Sequence, residues 1–464
     1  MEEKTEIKRE TKKIDLTVGS IPKRVLGFVV PTLIMMLIQS VYSITDMAIV
    51  GHYIGSAGMS AANMGGMVVT VVLNFAMGLT NGGNIYIGQL VGARKTDNLN
   101  RIIGSMLTFF TIFALVMTAV LLIFGRPILL ALGTPEEARE FAVTYLYICA
   151  AGTLFVYTYN AFACAYRGLG RPVPVMIFVI ISVLLNVALD WILVGPLNMG
   201  ITGAAIATIF SQFVCLVVCM IHAKKTYLFD FKRESFKIHP ESLKIVIKIG
   251  FPQALQFFIT QTSFLLINGF VNQYGVFASA LAGATTKVTM FATTGTHAFQ
   301  ACMISFTAQN SAAKQYSRVI RGMIFSMLLS LIWAGLFFAA AMITPEGMLS
   351  VFTSDAGVIN FRPEYLQVML IGSVIESLMF CLYGVIAGSG HTFYMFFCAV
   401  VSAIIIRFPL VWIFTTYTSM GFMGIAWAYV CAPIASGLVA LIYILSGKWK
   451  KSRVLSGRQK PENA

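Results

Sequence analysis

Long apolar runs, each about 20 to 30 residues, follow one another from Leu26 to Leu445, separated by short breaks rich in charge, glycine or proline. A helix rising 1.5 Å per residue needs about 20 such residues to cross a hydrocarbon layer of about 30 Å. The alternation of apolar and polar positions that marks barrel strands is missing, so helices must satisfy the backbone. Twelve spans are expected, at roughly 25–50, 58–90, 102–124, 140–167, 173–194, 200–222, 245–271, 278–312, 319–343, 364–388, 392–415 and 421–446. The predicted fold is an all-α polytopic membrane protein.

Composition agrees: 58% of residues are hydrophobic, 11% are charged, and mean hydropathy is +0.81. A soluble domain carries about 25% charged residues, so no water-soluble core accommodates this chain of 464 residues. The formal charge of +14 suggests a nucleic-acid partner until its placement is considered. Of the 33 basic residues, 28 fall in the tails and even-numbered loops, while the opposite loops hold only Arg126, Arg139 and Arg362. This asymmetry is a topology signal: it places both termini in the cytoplasm, makes membrane lipid rather than nucleic acid the surrounding partner, and points to the plasma membrane. The charged first 24 residues carry no apolar core followed by a cleavage site, so no secretory signal is expected and the first span initiates insertion. All eight cysteines lie in spans without metal-ligand spacing, and no structural metal or cofactor is expected.

The halves echo each other in one register that holds from end to end. Pro31 matches Pro252, Gly55 matches Gly275, QLVGAR from Gln89 matches QNSAAK from Gln309, Gly168 and Gly170 match Gly388 and Gly390, and Trp191 matches Trp412. Six spans per half give both halves the same orientation, the arrangement of parallel repeats related by an axis along the membrane normal. The expected organisation is therefore a tail over 1–24, an N-lobe over 25–222, a cytoplasmic linker over 223–242, a C-lobe over 243–446 and a basic tail over 447–464.

Three acids, Asp46, Asp190 and Glu376, lie inside spans, where a carboxylate is costly unless neutralised, paired or hydrated and therefore marks an ion or substrate pathway. The repeat does not keep them: Asp190 corresponds to Val411, Asn186 to Arg407, and Asp46 to Leu266 or Ile267. Helical spacing gathers Gln39, Tyr42, Ser43 and Asp46 on one face of span 1, Thr153, Tyr157 and Asn160 in span 4, Ser182, Asn186 and Asp190 in span 5, and Thr208 and Gln212 in span 6. Isolated Ser, Thr and Asn stripes also serve as helix-to-helix glue. In the second half, Glu376 either pairs with Lys287 or meets water at a helix end, while Arg407, just before Pro409, either stays inside its span, where buried opposite charges pair, or snorkels toward an interface. Pro31 removes a backbone donor fifteen residues before Asp46 and is a candidate hinge. No Walker A, HExxH or GxSxG pattern occurs, so neither an ATP-driven pump nor a hydrolase is indicated.

ITDMAIVGHYIG around Asp46, NAFACAYRGLGRP from Asn160 and LLNVALDWILVGPLNMGITGAAIAT from Leu184 resemble the MATE family, the multidrug and toxic compound extrusion transporters of the wider MOP flippase superfamily. The resemblance covers about residues 20 to 446. It implies a monomeric secondary antiporter exporting amphipathic, often cationic small molecules against H+ or Na+ as coupling ion, by alternating access. Asp46, Asn160, Asn186, Asp190 and Thr208 match the family's cation-coupling cluster; Gln39, Tyr42, Tyr157, Gln256, Glu376 and Lys287 are expected to line the route or cavity. The chain departs from the sodium-driven branch in span 7, where Gln253, Gln256 and Gln261 stand instead of an acid. A lipid-linked precursor flippase and a non-transporting receptor or scaffold are the alternative readings.

The charge asymmetry makes a topology prediction. A cysteine replacing Lys232 should react with an impermeant maleimide only from the cytoplasmic side, and one replacing Glu137 only from outside. Both reacting from one side would refute twelve spans.

Overall fold

The structure, a computed structural model, describes residues 15–451; the remainder of both basic tails lies outside the described residues. It is helical throughout, with no strand among the described residues. The chain runs helically from Ile21 to Gly92 but breaks at Gly55, whose φ of 79° and ψ of −164° are open essentially to glycine alone. The break separates α1 (Ile21–Gly55) from α2 (Gly58–Gly92). There follow α3 (Leu99–Ala131), α4 (Glu136–Gly168), α5 (Pro172–Val194), α6 (Gly200–Lys225), α7 (Pro240–Asn272), α8 (Val276–Ala312) and α9 (Tyr316–Ile343). The last long helices are α10 (Glu364–Gly388), α11 (Thr392–Thr416) and α12 (Phe422–Leu445). Eleven of the twelve are long and apolar enough to cross a membrane; α8 is diluted by seven threonines, Lys287 and His297.

The duplication is visible in the backbone. Left-handed residues recur in the register of the repeat: Gly55 (79°) with Gly275 (89°), Arg94 (60°) with Lys314 (59°), Gly170 (75°) with Gly390 (87°), and Gly200 (58°) with Gly421 (53°). So do close crossings. A Cβ on Gly168 would stand 2.8 Å from Asn84 O and 3.0 Å from Ile87; one on Gly388 would stand 2.5 Å from Ile304 O and 2.7 Å from Thr307. The neighbours correspond as the glycines do, Asn84 to Ile304 and Ile87 to Thr307. Small residues here let backbones approach, which is how membrane helices gain dispersion contact in a lipid that offers no hydrophobic drive between them.

The chain divides into two compact units. One comprises Ile34–Ile87 and Arg94–Gly250, with Asp15; the other comprises Leu16–Leu33, Gly88–Ala93 and the residues from Phe251 onward. In the first, α4 packs against α3 and α6, and α5 against α6; in the second, α10 packs against α8, α9 and α12, and α11 against α12. The helices at the hubs, α4 and α10, are the most buried along their apolar windows, 50% and 61%. Three helices change unit along their length, α1 between Leu33 and Ile34, α2 between Ile87 and Gly88, and α7 between Gly250 and Phe251. Pro31 and Pro252 sit within two residues of the crossings in α1 and α7.

Two segments depart from the expected outline. The polar stretch after α6 is shorter than 223–242, because helices run to Lys225 and resume at Pro240. The remaining stretch is docked on α3: Thr108 Oγ1 donates to Phe236 O (2.7 Å), and Ser105 Oγ donates to Lys237 O (3.1 Å) and accepts from His239 N (2.8 Å). Phe229 is buried among Phe162, Phe231 and Phe236. Between α9 and α10, two short helices, Pro345–Ser350 and Ala356–Ile359, have no periodic signal to betray them; Asp355 caps the second by accepting from Gly357 N at 2.8 Å.

The segment before α1 is strapped to the second unit. Leu16 N donates to Gln309 Oε1 (3.0 Å), Asn310 Nδ2 donates to Leu16 O (3.3 Å), and Arg318 donates to Leu16 O and to Gly19 O, the latter at 2.7 Å.

Adding a methyl at either repeated crossing should force its helices apart. Gly168→Ala and Gly388→Ala should each lose about 1–3 kcal/mol, lowering the unfolding temperature in detergent. Gly335→Ala, whose Cβ meets nothing within 4 Å, should hold or raise it. Equal melting of all three would refute the close packing.

Candidate functional site

The first unit gathers its polar groups where α1, α4, α5 and α6 meet. Asp190 is fully buried and Asn186 is 2% exposed, one turn apart on α5; Asp46, on α1, is half-buried. The two carboxylates are close enough to interact directly, and Tyr42, one turn before Asp46, lies beside Thr208 and within the field of both acids. Asp46 Oδ1, both Asp190 oxygens and both polar atoms of the Asn186 side chain have no hydrogen-bond partner among the described residues. Each such buried atom costs about 1–3 kcal/mol, so five together describe a site organised around something other than its own contacts. Beside them lies a cavity of about 70 Å³ lined by Gln39, Tyr42, Tyr159, Ser182, Asn186 and Gln212. That is room for several waters or a small ion. Carboxylate and amide oxygens are the ligands of protons and hard cations.

The sequence-selected residues separate into those that face this site and those that do not. Gln39 and Tyr42 face the cavity as expected from the stripe on α1. Asn160 turns its amide nitrogen back onto Val156 O (2.9 Å), and Thr208 donates to Ala204 O (3.0 Å) on its own helix. Tyr157 does not line the cavity: it is fully buried, with its hydroxyl donating to Val72 O (2.9 Å) and its ring against Phe113. Thr153 shares a hydrogen bond with Thr118 (2.8 Å), which makes that end of the stripe α3–α4 glue. Tyr159, off the stripe by two positions from Tyr157, takes the wall instead; nothing in the sequence distinguishes it from the other tyrosines.

In the second unit the expected partners are not assembled. Lys287 is exposed and forms no ion pair with Glu376; the ion pairs among the described residues, Arg94–Asp15, Arg126–Glu140 and Arg139–Glu136, all lie in the first unit. Glu376 is half-buried, and Gln256 is 7% exposed with its Oε1 unpartnered. Arg407 does not snorkel to an interface. Only 4% exposed, it lies over the rings of Phe264 (5.0 Å) and Tyr429 (4.8 Å), because α11 widens into a π-helical turn over Val401–Arg407 just before Pro409, which has no N–H to give.

Known proteins share this chain's sequence pattern and fold. The MatE family model matches residues 31–192 and again 252–413, once in each half. The chain is 24% identical over 435 residues to the probable multidrug resistance protein YoeA of Bacillus subtilis, spanning 92% of this chain and 94% of that protein. It is 25% identical over 447 residues to the multidrug export protein MepA of Staphylococcus saprophyticus, again spanning 92% and 94%. A solved multidrug resistance MATE transporter of the MOP superfamily, in an outward-facing conformation, has the same fold: TM-score 0.86 at 19% identity over 96% of this chain and 98% of that one.

The two tyrosines of α4 give opposite expectations. Tyr157→Phe removes a buried hydrogen bond and should cost about 1 kcal/mol, whereas Tyr159→Phe deletes a buried hydroxyl that has no partner and should leave the unfolding temperature unchanged or higher. Thermal unfolding in detergent measures both; the reverse order would refute the placement of these side chains.

Proposed function

The chain belongs to the MatE family, and from that premise we propose that it is a secondary antiporter of the plasma membrane, both termini cytoplasmic, exporting amphipathic cationic compounds in exchange for entering H+ or Na+. The observation that carries this reading is the set of Asp46, Asn186 and Asp190 with five unpartnered polar atoms beside a small polar cavity. Relatives named for multidrug resistance and export along nearly their whole length support the substrate class.

Asp46 and Asp190 receive the coupling ion, and Asn186, Asn160 and Thr208 supply neutral oxygens. Ion entry neutralises the single charge that the two acids share and lets α1 and α5 close on each other. Since α1 leaves one compact unit for the other two residues beyond Pro31, a bend there carries Asp46 with it. Export and ion entry are then alternatives of one helix position. Two carboxylates in contact in a low-dielectric interior repel when both are ionised, so the pair carries one exchangeable charge. A monovalent cation leaving as one ion enters makes no net charge movement, and the roughly 2.3 kcal/mol per 100 mV available per charge is not drawn upon.

Asp46→Asn and Asp190→Asn should each give a protein that inserts and melts normally yet fails to concentrate a fluorescent cation in proteoliposomes under a pH or Na+ gradient. Wild-type rates in both would overturn the assignment. A potassium-valinomycin potential alone should not drive uptake in the unsubstituted protein.

A further inference from the structure

The second unit carries, at the positions repeating the cation site of the first, a centre of opposite sign. In the register of the repeat Arg407 takes the place of Asn186, Tyr429 that of Thr208 and Phe264 that of Ser43, while the places of Asp46 and Asp190 are taken by apolar residues. The two rings stack on each other, centroids 5.6 Å apart at 25°, and the guanidinium lies over both.

Cation–π attraction satisfies the faces of the guanidinium but not its N–H groups, which point outward in its plane. Arg407 Nε and Nη1 are buried without an acceptor among the described residues. Glu376 is near enough for its charge to be felt at Tyr429 alongside that of Arg407, yet the two make no ion pair within 4.0 Å. A guanidinium held away from water with donors unmet is stable only as the receiving half of an interaction. Lipid-facing packing does not account for it, since a leucine would fill the space without the penalty. Phe264 remains 37% exposed and Tyr429 is partly uncovered, so the stacked rings offer a flat apolar surface directly beside the unmet donors.

We propose that Arg407, Phe264 and Tyr429 form a subsite of the second unit that binds the anionic group of an aromatic amphiphile, a carboxylate or a group of like geometry, with the ring system laid against Phe264 and Tyr429. The proposal deepens the export reading: it rests on that reading for transport but on its own residues for binding. Molecules that carry an acid, alone or together with an amine, are then substrates, and simple cations use the first unit only. An arginine suits this task better than a lysine, because its planar fork matches a carboxylate while its face stays on the rings.

The test uses the full chain in phosphatidylcholine nanodiscs and two probes with the same body, pyrene-1-carboxylate and pyrene-1-methylammonium, with binding followed by fluorescence. Arg407→Gln should weaken the carboxylate about tenfold or more while changing the ammonium less than twofold. Arg407→Lys should lie between, and Lys232→Gln, an exposed charge on the stretch after α6, should leave carboxylate binding as it was. Unfolding temperature is read on each variant; should the glutamine variant melt early, the lysine variant decides by the same ratio. Equal affinity of folded wild-type and variant protein for pyrene-1-carboxylate would overturn the proposal. So would displacement of the probe by phosphatidylglycerol in the disc, which would assign the guanidinium to a lipid headgroup. A wild-type chain that binds the carboxylate through Arg407 but exports no cation would support this subsite and count against the antiport reading alone.

Discussion

Two carboxylates facing each other inside an apolar helix bundle are the constraint around which the first unit is arranged. Asp190 has no exposure, Asp46 is half-buried, and neither forms an ion pair with a basic residue among the described residues. A protein selected only for stability would have paired them or replaced them, since buried charge is tolerated at membrane depth only for use. The surrounding hydroxyls are spent on helix backbone: Ser182 joins α5 to α6 by donating to Ser211 O, while Thr208 and Ser211 donate to carbonyls of their own helix. The site's polar atoms are left unmet while its scaffold is engaged.

Duplication supplied two copies of one frame, and the copies differ in charge while keeping their crossings. Gly168 and Gly388 still bring the same helix pairs together, and the left-handed turns recur in the same register. Backbone approach is a steric condition that a substitution breaks at once, so it persists in both units. A charge at the centre is a condition of the bound species, and it has been free to change from Asp190 and Asn186 to Val411 and Arg407.

Helix number, repeat and acid positions are readable from the sequence because each has a strong one-dimensional signature: span length, fixed register, and a charge where none belongs. The face of α1 bearing Gln39, Tyr42 and Asp46 is also readable, from its 3.6-residue period. Rotation of a helix hydrophobic on every side is not. Tyr157 and Tyr159 both sit on α4, buried all round, and only packing against Val72 and Phe113 decides which one reaches the cavity. Arg407 escapes sequence reasoning for a related reason, because a π turn rotates the helix beyond it and a single-residue change in helical phase leaves no mark in hydropathy. The pairing of Glu376 with Lys287 rests on opposite charge alone, which says nothing of distance.

The strap ahead of α1 bears on how the chain is assembled. Leu16 bonds to Gln309 across 293 residues of sequence, and Leu16–Leu33 belongs with helices that follow Phe251. Gln309, Asn310 and Arg318, which bond to Leu16 and Gly19, are made 293 to 302 residues after them, whereas Asp15 just ahead pairs with Arg94. The first unit, for its part, is complete only once Gly250 has been added. Loop closure over such a separation carries an entropic cost and is slow, so the contacts of Leu16 with α8 and α9 form late. Leu16–Leu33 takes its final packing only when the residues beyond Phe251 have been made.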